Sequence, residues 1–395
     1  MISPALTRLA EQARGHYARV FEDTKPPRIA FSPGRVNLIG EHTDYVGGFC
    51  LPFPIDRFIV AAFKRREDKR VRVYSGTYDE LLEFQLSTIR FDPEKGWVNY
   101  VAGVFREAAG QGHALSGVDI ALASSLPASS GLSSSAALEA VTMALVSALS
   151  PREIPRSEWV GICHRAENKF VGVPCGTLDQ TAVISGAEGH ATFLDIGAGR
   201  REAVAIPAGA VALVADTATR RSLGATPYAR KRKAAEEAFR KLRKWEGDKV
   251  PAGGFTLEHL KKHGIKLPTE EKWMAEHVLG ENQRVLSAIQ AFGKGDHSAF
   301  GKLLNQSHES LRAKVGNSTN ELEAMRDLLL GTEGVYGARV TGAGFGGCIL
   351  AWVEEEKAAG AADGVLRGYR ARFSAKGEVF LVRPAPPAGM LEVAR

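Results

Sequence analysis

The sequence predicts a mixed α and β (α+β) chain of two domains, on three observations. Its 395 residues are too many for one ordinary hydrophobic core. Strand-like and helix-like runs both occur along it: 118–123 (VDIALA) is a short apolar strand, and 136–149 (AALEAVTMALVSAL) is apolar at helical spacing without Gly or Pro. Around 187–199 the composition becomes glycine-rich, which puts a boundary near residue 190 and divides the chain into 1–190 and 191–395.

An apolar content of 44 % with 24 % charged residues is that of a soluble globular protein. The formal charge of +6 is spread over the whole length, too dilute for nucleic acid but compatible with anionic small molecules. Four scattered cysteines (Cys50, Cys163, Cys175, Cys348) without CxxC spacing predict reduced thiols and no zinc site. Residues 2–23 carry charges where an export signal would be apolar, and no uncharged run reaches membrane-spanning length. The expectation is a cytoplasmic monomer with no nucleic-acid or membrane partner.

Residues 4–23 read as a surface helix ended by Pro26-Pro27, and 28–32 as a strand. Residues 33–45, PGRVNLIGEHTDY, follow and are closed by Gly47-Gly48. Here an apolar strand centre is bracketed by turn residues, and Glu41, His42, Asp44 and Tyr45 crowd the exit. Two carboxylates beside an imidazole suit a polyol, because carboxylate oxygens accept the hydrogen bonds that sugar hydroxyls donate. The spacing matches no metal motif such as HExxH, and a solvated turn is the plain alternative.

Strands are expected at 57–64 and 70–75, separated by the charged turn RREDK. Trp97 opens a helix, with Tyr100 one turn on; both could equally be core. The stretch 126–139, LPASSGLSSSAALE, leads from strand to helix through a turn with Pro127 and Gly131, then places Ser133, Ser134 and Ser135 at the helix entrance. Unpaired N–H groups and a partial positive charge at a helix N-terminus stabilise an anion such as phosphate. The serines can cap the helix, donate to phosphate or hold Mg²⁺. A helix over 157–170 carries Glu167, and the turn 174–180 (PCGTLDQ) delivers Asp179 into an apolar neighbourhood, as a cap or a general base.

In the second half, 211–216 reads as a strand and 227–245 as a strongly basic helix with a solvated face. Further helices are expected at 276–292, 296–311 and 319–330. Gly342, Gly344 and Gly347 formally satisfy GxGxxG, but the strand-like CILAWV follows, so the dinucleotide mechanics are absent. A glycine loop between two strands, letting backbone approach a ligand, fits better. No GxxxxGK[ST] is present, so a nucleotide is not held by a Walker loop.

In their order and separations, GRVNLIGEHTDY, LPASSGLSSSAALE and TGAGFGGC resemble the three motifs of the sugar kinases of the galactokinase family, within the GHMP kinase superfamily. WVNYVAGV, HRAENKFVGVPCGTLDQ, SLGATPYARKRK and HVLGENQRVLSA extend the resemblance over nearly the whole chain. It implies a two-domain GHMP-kinase-like architecture with ATP and sugar in the inter-domain cleft. It further implies Asp179 as the base facing the anomeric hydroxyl and Arg35 as its cationic partner. Glu41, His42, Thr43 and Asp44 would bind the sugar, with Gly176 and Tyr228 completing that pocket. The loop Ser129, Ser130, Gly131, Leu132, Ser133, Ser134 and Ser135 would wrap the ATP phosphates. Ser135 and Glu167 would hold Mg²⁺, Trp97 would lie near adenine, and Ser75 would touch the nucleotide.

These roles agree with the chemistry, since phosphoryl transfer needs positioning and charge neutralisation more than covalent steps. The family usually has Asn where this chain has Val46, and many members read Gly-Ile-Met-Asp where it reads Gly176-Thr177-Leu178-Asp179. Both departures adjoin the sugar pocket, so N-acetylgalactosamine or a uronic acid stands as an alternative to galactose. Some relatives are sugar sensors without turnover; an intact 131–137 with both Asp179 and Arg35 argues for an enzyme.

Overall fold

The computed structural model describes residues 3–127, 131–219, 227–247, 252–373 and 376–392. The strands lie in three sheets. The largest has six strands in the order Gly389–Met390, Arg28–Asn37, Pro52–Arg65, Val118–Ser124, Arg70–Ser75 and Glu80–Gln85. Its pairings are antiparallel apart from Arg70–Ser75 beside Val118–Ser124. A four-stranded antiparallel sheet is ordered Val335–Thr341, Cys348–Glu354, Ala210–Asp216, Glu378–Val382. A smaller sheet pairs Phe49–Cys50 with the hairpin His190–Asp195 and Arg200–Ala205.

Burial explains these elements. Helix Ser134–Leu149 is apolar nearly all round because it is packed between the large sheet and the helices Val98–Gly110, Arg156–Arg165 and Leu178–Ser185. The amphipathic helix Pro4–Phe21, capped by the Ser3 hydroxyl, covers the other face of that sheet with Leu6, Leu9, Ala13 and Tyr17. A second core lies between the four-stranded sheet and helices Pro227–Glu246, Thr269–Gly293, Asn320–Leu330 and Ala358–Arg372.

Several expectations are revised. The first strand does not stop at residue 32; it runs from Arg28 to Asn37 through a bulge at Pro33/Gly34, where the register to the neighbouring strand shifts. Proline cannot donate to a ladder, and a bulge tolerates it. A Cβ at Gly34 would lie 2.8 Å from the Leu132 carbonyl oxygen, so the bulge lets the strand approach the 126–139 loop. Glycine-rich 187–199 contains the strand His190–Asp195, because the short run ATFL between its turns is buried throughout. The helix carrying Glu167 becomes a wide π-turn over Ala166–Val171, a form found at functional sites.

Candidate active site

Three loops converge on one cavity of about 730 Å³. Arg35 enters it from the strand just beyond the Pro33/Gly34 bulge and is almost wholly buried. Its Nε and Nη2 donate to Asp179 Oδ1 at 2.9 and 2.6 Å, and Nη1 donates to the Gly131 carbonyl at 2.6 Å. Burial opposes the Arg35 charge, but Asp179 and Glu41 outweigh it and raise its pKa. Asp179 sits in the first turn of helix Leu178–Ser185, where an anion is favoured. Both Arg35 bonds go to Oδ1, which leaves Oδ2 for another partner.

The turn after Asn37 is folded by positive φ at Gly40 (98°) and His42 (57°). Buried Glu41 accepts through Oε1 from Gly342 N at 2.6 Å, Arg339 Nη2 at 3.1 Å and Thr341 Oγ1 at 3.3 Å. His42 sets Nδ1 against the Tyr45 hydroxyl at 3.0 Å and Nε2 against the Ala343 carbonyl at 3.1 Å. Its ring therefore contributes surface to the cavity, packed against Tyr228 at 5.5 Å between centroids. Asp44 lines the same end with Gly176, and a Cβ on Gly176 would collide with its carboxylate. Burial, with Asp179 and Glu41 nearby, raises the Asp44 carboxyl to about 6.

Elsewhere on the cavity, Gly131 (φ 85°) and the three serines line the wall at the entrance of helix Ser134–Leu149. Ser133 stands at the N-cap position but caps nothing: its φ is 60° and its buried hydroxyl has no partner among the described residues. Ser75, Tyr78, Trp97 and Tyr100 form a second group on the lining. Trp97 stacks on Tyr78 at 6.0 Å and donates its indole N–H to Glu80.

Glu167 is buried on the cavity wall with the Ser135 hydroxyl in hydrogen-bond contact. Gln180 Nε2 donates to Glu167 Oε2 at 2.6 Å and to the fully buried Glu139 at 3.1 Å. Burial and Asp179 raise the Glu167 carboxyl to about 7. Among the described residues no group of three or more His, Cys, Asp or Glu is arranged for a metal. One hydroxyl and one buried carboxylate fit Mg²⁺, which takes few protein oxygens when phosphates and waters supply the rest.

Of the site residues expected from sequence, two are turned elsewhere. Thr43 is absent from the lining; its hydroxyl bonds the Gly40 and Phe49 carbonyls at 3.0 and 2.8 Å, because the tight turn points it inward. Leu132 is buried in the core, and only its carbonyl serves the site, accepting from Arg35 N at 3.1 Å. Ser129 and Ser130 lie outside the described residues. Sequence reasoning missed Arg339, Gln180, Glu139 and Tyr78. An arginine within the apolar run GARVTGAG was a readable signal for the first.

A galactokinase galactose-binding signature matches residues 15–65. The N-terminal and C-terminal GHMP kinase domains match 98–187 and 288–371. The chain is 38 % identical to the galactokinase of Chloroflexus aggregans over 349 residues, covering 88 % of this chain and 90 % of that one. The chain belongs to the galactokinase family. Another relative in that family, from Thermococcus kodakarensis, is 38 % identical over 357 residues, covering 90 % and 97 %. The crystal structure of Lactococcus lactis galactokinase complexed with galactose superposes with a TM-score of 0.90 at 31 % identity, covering 98 % of this chain and all of that one. The two-domain GHMP kinase fold and ATP as co-substrate follow from the family. No described helix is long and apolar enough to cross a membrane.

Proposed function

We propose that the chain transfers the γ-phosphoryl group of ATP to the anomeric hydroxyl of galactose, giving galactose 1-phosphate and ADP. The observation that carries this reading is the fork of Arg35, which holds both Asp179 and the Gly131 carbonyl. One side chain thus ties a carboxylate near the sugar loop to the loop beside the nucleotide, as transfer between the two requires.

In this reading Asp179 Oδ2 takes the proton of the anomeric hydroxyl. The sugar oxygen bonds to the γ-phosphorus as the bond from that phosphorus to the bridging oxygen of ADP breaks. Arg35 offsets the charge that develops. Asp44 and Glu41 accept from the other hydroxyls, Gly176 leaves them room, and the rings of His42 and Tyr228 supply the apolar wall. Gly131 and Ser133 to Ser135 meet the phosphates, while Trp97 and Tyr78 flank the base and Ser75 contacts the nucleotide. Ser135 and Glu167 would hold Mg²⁺, which neutralises phosphate charge when bound.

The sugar and phosphate loops belong to the proposed first domain, 1–190, and the glycine loop beneath Glu41 to the second, 191–395. A reaction that consumes ATP suits the cytoplasm, and light scattering on the purified protein tests the expected monomer. The activity is tested by ADP release from ATP and Mg²⁺ against galactose, glucose, N-acetylgalactosamine and galacturonic acid. Galactose should be turned over fastest, and glucose, which differs only at the 4-hydroxyl, should be poor. Comparable turnover of glucose and galactose would contradict the assignment.

A further inference from the structure

The segment HVLGENQRVLSA lines no part of the cavity, yet its helix, Thr269–Gly293, reaches the sugar loop at three points. Glu281 Oε1 accepts from Gly40 N at 3.0 Å. His277 Nε2 meets the Glu41 carbonyl at 3.0 Å. Asn282 Oδ1 accepts from Phe49 N at 2.8 Å. All three side chains are buried, and their spacing places them on adjoining positions of one helix face. These bonds grip both ends of the turn that carries Glu41, His42 and Asp44, through backbone atoms only.

The grip is itself held. A carbonyl can only accept, so His277 Nε2 carries the proton and Nδ1 accepts from the Ser310 hydroxyl at 2.9 Å. Burial lowers the His277 pKa to about 4, consistent with a neutral ring. Glu281 Oε1 also accepts from Ser307 at 2.6 Å, and its Oε2 takes Arg284 Nε and Nη2 at 2.8 and 2.5 Å. Ser307 and Ser310 stand on helix His297–Ser310, so two helices from the far half of the chain brace one loop. The two ends of the turn lie against each other, since a Cβ at Gly40 would lie 2.7 Å from the Cys50 Cα, so a shift at one end carries to the other.

We propose that His277, Glu281 and Asn282 are positioning residues that set galactose affinity by fixing the backbone of the 40–49 turn without touching the sugar. This rests on the galactokinase reading above. Loss of one buried backbone bond should weaken galactose binding by about tenfold, because a displaced turn misplaces Asp44 and Glu41 together. The ATP side of the cavity is built on other elements and should be unaffected.

The test is steady-state kinetics with both substrates varied, on the full chain, with a thermal melt of each variant. His277→Phe removes the donor; His277→Gln keeps an N–H near the same place. The phenylalanine variant should raise the galactose KM about tenfold, leave the ATP KM within about twofold, and be largely rescued by glutamine. Asn282→Ala and Ser310→Ala, milder changes, should give the same one-sided shift and keep the comparison available should His277→Phe fail to fold. Equal rises in both KM values, a lowered melting temperature with unchanged KM values, or no rescue by glutamine would overturn the proposal. Wild-type turnover of galactose in the same assay separates that failure from failure of the functional reading, which would fall if wild-type protein did not turn galactose over or turned it over no faster than glucose.

Discussion

Gly176 leaves the space that the Asp44 carboxylate occupies: a Cβ at 176 would collide with Asp44 Oδ2 and Cγ. Only glycine at this position lets the turn before Asp179 approach the sugar loop so closely. Gly176→Ala should therefore push Asp44 aside and raise the galactose KM by about tenfold or more, with the ATP KM unchanged. Kinetics with each substrate varied in turn check this; an unchanged galactose KM would remove Asp44 from the sugar site.

Asp44 also predicts a pH dependence. Its carboxyl is raised to about 6 by burial and by Asp179 and Glu41, so it loses its charge as pH falls through 6. A carboxylate accepts from sugar hydroxyls with both oxygens, whereas the protonated acid gives up part of that capacity. If the ionised form is the binding form, the galactose KM should rise by about tenfold between pH 7 and pH 5 and stay flat above 7. Asp44→Asn should raise the KM and flatten that profile; a slope that persists in Asp44→Asn belongs to another group.

Ser133 offers a test in which stability and binding move in opposite directions. Its buried hydroxyl has no partner among the described residues, and an unsatisfied buried hydroxyl is destabilising. Ser133→Ala should hold or raise the melting temperature while raising the ATP KM several-fold, about one hydrogen bond's worth. Calorimetry and ATP kinetics on one preparation settle it, and an unchanged ATP KM would leave the hydroxyl without a role.

Glu167→Gln keeps the shape of the side chain and an oxygen that can accept from Gln180, but removes the charge. The Mg²⁺ concentration for half-maximal rate should rise by about tenfold or more with the melt nearly unchanged. A normal Mg²⁺ titration would return Glu167 to an ordinary buried residue.

What was legible from sequence follows from locality. The sugar turn, the serine-rich entrance and the glycine loop each concentrate polar or glycine residues within about a dozen positions, so their chemistry showed before any fold was known. The inward turn of Thr43 did not, because it depends on backbone torsions at Gly40 and His42 that only the closed turn reveals. Arg339 and His277 were hidden for another reason: each acts on residues some 240 to 300 positions away in the chain. The helix start at Thr269 was missed because TEEKW is polar in its first turn and half-exposes Trp273, so apolar periodicity begins only later.

The central claim is that Asp179, held by Arg35, accepts the proton of the sugar hydroxyl, and Asp179→Asn tests it most directly. The amide keeps the shape and can still hydrogen-bond the hydroxyl, so galactose affinity should change little. Turnover should fall by about 10²- to 10⁴-fold with the melting temperature nearly unchanged. Near-wild-type kcat per folded molecule in Asp179→Asn would contradict the account.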